Sequence, residues 1–261
     1  FISATTQYNG GEGQFLNSDS VLFLSEREGN TDNQLKAQSI VNYKMNKKNI
    51  FQVGATYTHF NYNFYYEDDY DDEDGIMTRH NNSKGDADML QSFLSWKYRI
   101  TNDLTVVSGV HHTHYLLNNN FKVEPRVGMK WQLNPRHSLS AGFGMHSKLE
   151  SPSVYLYNEL QEDGSYKYPN RDLDLTKSTH YVLGYGFRIS EHLHLKSEVY
   201  YQALSNIPVA KDTAADSGFF SFVNWSSGVP DFELVNEGTG HNYGAELTLE
   251  RFFENNFYFL L

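Results

Sequence analysis

The chain has 261 residues, of which 39% are apolar and 15% aromatic, with no cysteine and a formal net charge of −11. The lack of cysteine excludes a disulfide framework and a thiolate metal site, and the negative balance without a clustered Lys/Arg patch argues against a nucleic-acid partner. Mean hydropathy is −0.59, and no run approaches the roughly 18 apolar residues of a membrane helix, so hydropathy alone reads the chain as soluble.

The opening text, FISATTQYNGG, has neither a basic start nor an apolar h-region, so it does not read as a signal peptide. It reads as strand, as does the final FYFLL. We therefore expect residues 1–261 to be an internal piece of a longer chain, one partial β-barrel domain. A polar loop is expected over 10–32, a tight turn at NKKN (46–49), and a second long loop over 65–87. Turns follow at TND (101–103) and, after the shorter loop NNN (118–120), at NPR (134–136). SEH (190–192) and ENN (254–256) are further turns, while 149–174 and 207–239 are long polar loops. Each turn is rich in turn formers or charge.

Between these connections the side chains alternate with a period of two. Arg126, Gly128, Lys130 and Gln132 oppose Val127, Met129, Trp131 and Leu133. Past NPR, Ser138, Ser140, Gly142, Gly144 and His146 oppose Leu139, Ala141, Phe143 and Met145. His180, Gly184, Gly186 and Arg188 oppose Tyr181, Leu183, Tyr185 and Phe187, with Val182 as an apolar residue on the polar face. His194, Lys196, Glu198 and Gln202 oppose Leu195, Val199, Tyr201 and Ala203; Asn242, Gly244, Glu246, Thr248 and Glu250 oppose Tyr243, Ala245, Leu247 and Leu249.

Strand, tight turn, strand, long loop, repeated, predicts an all-β, antiparallel up-and-down meander of about eleven strands, with short turns at one end and long loops at the other. Most passages exceed the length a tilted membrane-spanning strand needs, and a soluble sandwich explains the one-ended loops poorly. A transmembrane β-barrel explains them directly, with short periplasmic turns and long extracellular loops. Trp96, Tyr98 and Trp131 beside tight turns fit an interfacial aromatic girdle. Arg126, Lys130, His146, Arg188, Glu198 and Glu246 then face a hydrated or protein-plugged lumen, where charge is affordable. Glycines on that face either leave room for another body or ease strand curvature.

Three stretches carry a resemblance. PRVGMKWQLNPRHSLSAGFGMHSKLESPSVYLY, LTKSTHYVLGYGFRISEHLHLKSEVYYQALSNIPV and NEGTGHNYGAELTLERFFENNFYFLL resemble the barrel strands of TonB-dependent outer-membrane receptors, especially those typical of Bacteroidetes. The likeness is close over about 120–261 and rests on pattern before that. It implies a 22-stranded barrel in the outer-membrane lipid, of which eleven strands are half. It also implies an N-terminal plug domain and final barrel strands outside this sequence, a TonB complex that energises uptake, a scarce nutrient as ligand, and a surface lipoprotein as a further candidate partner. The alternatives are a passive porin-like barrel and a soluble β-rich binding or adhesion module.

Local motifs add little chemistry. In EDDYDDEDG (67–75), setting Gly75 at the sixth place of a calcium loop puts Tyr70 first and Asn81 twelfth, so the EF-hand fit fails. A solvated extracellular loop is the reading, with loose divalent-ion binding as the alternative. HHTH puts His112 and His114 on one face and His111 on the other; two imidazoles at i, i+2 can share a metal, but no third ligand is identifiable. Lumen-facing solvated histidines, His146 and His194 included, are the simpler reading. No nucleophile elbow or catalytic carboxylate pair stands out; neither catalysis nor a cofactor is expected. Ligand contact is expected from loop aromatics: Tyr155, Tyr157, Tyr166 and Tyr168 in one loop, Phe219, Phe220, Phe222 and Trp225 in another. Exposed rings beside Asn, Asp and Arg suit sugars, peptides or aromatic chelates. Rings that pack one loop on another are the competing reading.

Overall fold

The computed structural model describes residues 1–16, 22–69, 77–212, 221–223, 232–254 and 256–261. In chain order the elements are β1 (Ile2–Leu16), β2 (Leu22–Lys44), β3 (Asn49–Asp68), β4 (Thr78–Arg99), β5 (Leu104–Tyr115), β6 (Asn120–Asn134) and β7 (His137–Lys148). A short helix α1 (Pro152–Tyr155) and a two-stranded ladder, β8 (Glu159–Leu160) with β9 (Tyr166–Lys167), come next. β10 (Thr176–Arg188), β11 (Leu193–Ala210), β12 (Leu234–Glu254) and β13 (Phe257–Leu260) complete the chain. Apart from β8 and β9, all pair in one antiparallel sheet of 11 strands in sequence order. Among the described residues β1 and β13 are its two edges.

The tight turns fall where expected, and four of them share one device. Asn46 Oδ1 accepts from the backbone N–H groups of Lys48 and Asn49 at 2.8 and 2.9 Å. Asn134 Oδ1 accepts from Arg136 and His137, Thr101 Oγ1 from Asp103 and Leu104, and Ser190 Oγ from His192 and Leu193. Each side chain satisfies donors that a reversing chain takes out of the ladder, which is why Asn, Thr and Ser mark these positions.

Two of the expected long loops are largely strand. β1 and β2 remain paired out to Leu16↔Leu22, and β3 and β4 out to Asp68↔Thr78. Most of 10–32 and much of 65–87 is therefore ladder. The text hides this because most residues of these extensions are polar or glycine and the few apolar ones, such as Phe15-Leu16 and Leu22-Phe23-Leu24, come in runs, so the alternation that marks a strand is lost while the backbone groups still pair. The acidic run reaches into 70–76, which lies outside the described residues. Connections at 149–175 and 211–233 remain long.

The apolar face is not a core. Val127, Leu183, Val199 and Leu247 are 43%, 61%, 51% and 69% exposed, which a soluble sandwich could not sustain and a lipid-facing barrel wall requires. The core lies on the opposite, polar face toward the long-connection end. There Phe60, Ala87 and Tyr115 pack with Val154, Tyr155, Leu173, Leu175, Ala210 and Leu234. A second cluster joins Tyr62 and Phe64 to Leu156. Residues that follow β7 thus reach β3 and β4, several strands away, so the sheet curls with its polar face inward. Asn158 Nδ2 confirms the crossing by donating to Ser83 Oγ at 3.2 Å and Asn82 O at 3.3 Å. Gly85 admits it: a Cβ there would meet both terminal carbons of Leu156 at 3.4 Å.

Candidate functional site

Ladder register puts Arg126, Lys130, His146, Arg188, Glu198 and Glu246 on this single inward face. Arg126 pairs with Gly144, Lys130 with Ser140, His146 with Ser178, and Arg188 with His194. Glu198 and Glu246 sit directly opposite each other, a like-charge pair that Lys196 Nζ eases from 3.2 Å. Lys130, Arg188 and Lys196 line an open groove of about 400 Å³ near the tight-turn end, with Glu250 at its margin.

The structure adds a residue that the sequence reading missed. Glu124 is buried and lies on the Arg126 side of β6. Its Oε2 accepts from Arg126 Nη2 at 2.8 Å and lies 2.8 Å from His111 Nδ1. Its Oε1 accepts from the Ser147 backbone at 2.6 Å and from the Ser147 hydroxyl. Beyond Arg126, the His146 and His180 rings meet edge-on at 5.0 Å, and His180 Nε2 contacts Ser178 and Gln202. The i, i+2 spacing of Glu124 and Arg126 was the available signal.

The split expected for the clustered histidines holds, with His112 and His114 on one face and His111 on the other. His111 is the inward one; His112 and His114, read as solvated lumen residues, lie on the apolar face instead, where His112 packs 4.4 Å from the Phe121 ring. Among the described residues no three His, Asp or Glu gather to hold a metal.

The 149–175 connection is docked rather than splayed. Tyr155 and Tyr157 are buried, against the expectation of exposed rings. Tyr155 stacks obliquely on Tyr115 at 5.1 Å, and burial pushes its phenol pKa up. Tyr155, the last residue of α1, therefore packs the connection onto the wall, because the curled sheet brings the Tyr115 ring within its reach. Tyr166 and Tyr168 stay exposed, Tyr168 with the Arg171 guanidinium 5.9 Å from its ring centre. Phe222 is half-buried against the first core cluster. Phe219, Phe220 and Trp225 lie outside the described residues.

Asp174 closes the connection. Its carboxylate is 2.5 Å from Lys122 Nζ and accepts from Asn206 Nδ2 at 2.7 Å, while Asn236 binds both its backbone N–H and its carbonyl. One residue thereby ties β6, β11 and β12 together above the inward face.

A family model described as TonB dependent receptor-like, beta-barrel, matches residues 2–260. The chain belongs to this receptor family. Its barrels lie in the bacterial outer membrane, and its members are receptors and transporters rather than enzymes. Among solved structures, the copper transporter OprC aligns with a TM-score of 0.61 at 13% identity, covering 97% of this chain and 41% of that one. The siderophore receptor PirA from Pseudomonas aeruginosa aligns at 0.60 and 12%, covering 97% and 48%. The RagAB peptide importer aligns at 0.58 and 12%, covering 97% and 32%. At such identities the likeness establishes the fold alone, and the chain spans less than half the length of each. No curated protein matches the chain.

Membership in the receptor family makes sense of the outward face. Beside the tight turns, Phe51, Trp96 and Tyr98 stack in series at 6.0 and 5.2 Å, and Trp96 Nε1 donates to Asn49 Oδ1 at 3.0 Å. An amphipathic ring with its N–H engaged is at home where hydrocarbon meets headgroups. Farther along the same face the band ends at Tyr57, whose hydroxyl donates to Asp88 at 2.6 Å.

Proposed function

We propose that the full protein is an outer-membrane receptor that binds a scarce nutrient at its extracellular end and imports it with energy from a TonB complex. The observation that carries this reading is the division of the inward face. A docked connection crosses it at the long-connection end, while the wall below presents a charged row of Arg126, Lys130, Arg188, Glu198 and Glu246. A wall of that kind suits contact with a plug that fills the lumen and moves when pulled. Among the described residues Tyr166 and Tyr168 are the exposed loop rings of this set that could meet ligand first, and a surface lipoprotein is a partner that could cover them. Uptake of a labelled nutrient by cells, with and without a functional TonB complex, tests the reading. Energised import falls to background without the complex; uptake that persists unchanged makes the protein a passive porin.

A further inference from the structure

The tight turns carry one sign of charge on one side of the sheet. Lys47 and Lys48 lie between β2 and β3, and Arg136 lies between β6 and β7, while Lys44 and Arg99 end β2 and β4. All five are exposed. Asp103 is the one carboxylate in the β2–β3, β4–β5 and β6–β7 turns, whereas the β10–β11 turn carries Glu191.

Backbone bonds lace successive turns into one rim. The Arg99 N–H donates to Lys48 O at 2.9 Å, Gln132 to Asp103 O at 2.8 Å, and Arg188 to Arg136 O at 2.8 Å. Two of these joints put like charges side by side, Lys48 with Arg99 and Arg136 with Arg188, an arrangement that repels unless an anion joins it. Neither these four cations nor Lys44 and Lys47 enter an ion pair among the described residues.

The depth of the rim is marked by aromatic rings. Tyr43, Phe51 and Trp96 form one outward row at the foot of β2, β3 and β4, and Tyr43, Trp96 and Trp131 are 61%, 37% and 44% exposed. Such rings sit where hydrocarbon gives way to headgroups. Lys44, Lys47, Lys48, Arg99 and Arg136 follow them closely in sequence, which brings the cations to the level of headgroup phosphates.

We propose that the rim of the β2–β7 turns is a docking surface for anionic phospholipid. Phosphodiester groups lie between the paired cations, and the acyl chains run along the ring row above them. A soluble acidic partner would satisfy the cations alone; a lipid meets both cations and rings. The Glu191 turn, with its carboxylate, does not share the preference. This surface is independent of nutrient uptake.

Electron spin resonance of the full-length receptor in vesicles tests this, with chain-labelled phosphatidylglycerol and phosphatidylcholine as the probes and the immobilised fraction as the readout. At low ionic strength phosphatidylglycerol is preferred about fivefold or more, the effect of one cation at a membrane surface. The preference fades in about 1 M salt, where the Debye length is about 3 Å. Lys47→Ser, Lys48→Ser and Arg136→Ser together bring it to within about twofold of parity. Asn46 and Asn134 stay in place, so the turns keep their own hydrogen bonds and the circular dichroism is unchanged. Where it does change, Lys48→Gln with Arg136→Gln removes one cation from each pair and lowers the preference at least about twofold.

Lys36→Ser, Lys84→Ser and Lys211→Ser remove equal charge away from these turns and leave the preference intact. Equal retention of the two lipids by the native protein overturns the proposal and leaves the rim to an acidic protein. A preference that survives the rim substitutions overturns it, as does equal loss in both triple variants, which reports net charge alone. Displacement of the lipid by soluble glycerol phosphate also overturns it, since the ligand is then a free anion.

Discussion

Lys122 Nζ approaches Asp174 to 2.5 Å, so a cation in the barrel wall holds the end of a connection that began 25 residues earlier at Leu149. Both side chains are largely shielded, at 16% and 29% exposure, and the carboxylate also accepts from Asn206. Asp174→Ala leaves Lys122 and Asn206 facing a gap and is expected to cost about 1–3 kcal/mol of local stability. Limited proteolysis should then cut within 149–175 much faster, while the strands stay resistant. Asp174→Asn, which keeps the acceptor and loses the charge, should fall between.

A second prediction concerns pH. Burial raises the Tyr155 phenol above its ordinary value, so the docked state holds its proton where an undocked chain would release it. Stability from this group is complete below about pH 10, the free phenol value, and declines as pH rises toward the elevated folded value. The connection should undock in alkali before the strands separate. Near-ultraviolet absorbance of tyrosinate should show a late-titrating component in the native protein that is smaller by one tyrosine in Tyr155→Phe, since Tyr62 and Tyr115 are buried as well; an unchanged titration would show that Tyr155 is not shielded in solution.

Strand positions, turn positions and the two faces were legible because each is a local property: period-two alternation over a single strand, and a side-chain acceptor such as Asn46 or Asn134 at a reversal. Contacts that define the inward site join residues far apart in sequence, such as Lys122 with Asp174 or Asn158 with Ser83, and no local pattern announces them. Tyr155 and Tyr166 look equivalent in the text. Only the curl of the sheet, which brings β3 and β4 under the connection, makes one a core residue and leaves the other exposed. Likewise, polar extensions such as Gly10↔Gly29 carry no alternation to read.

The face assignment predicts opposite outcomes for two substitutions. Leu183 is on the outward wall and 61% exposed; Leu183→Arg should cost about 2–4 kcal/mol of folding into a bilayer if it sits near the midplane. Lys130→Ala, on the inward wall, should change stability by no more than about 0.5 kcal/mol. Denaturant titration of the full-length protein in lipid vesicles measures both. The reverse ranking would turn the barrel inside out and remove the lumen assignment of Arg126, Arg188, Glu198 and Glu246 with it.

Glu124 offers the sharpest test of the inward network. Four groups converge on its two oxygens: His111, Arg126 and both the backbone and hydroxyl of Ser147. Replacing it by alanine strands a half-buried imidazole and removes the acceptor that fixes Arg126, whereas glutamine keeps one carbonyl acceptor and turns the other atom into a donor. Glu124→Ala should destabilise by about 3–5 kcal/mol and Glu124→Gln by less. In a double-mutant cycle, Arg126→Met should cost less in the Glu124→Ala background than in the native protein, because the partner is already lost. Additive costs would mean that the 2.8 Å contact is not held in the membrane, and that Arg126 is free to meet whatever fills the lumen.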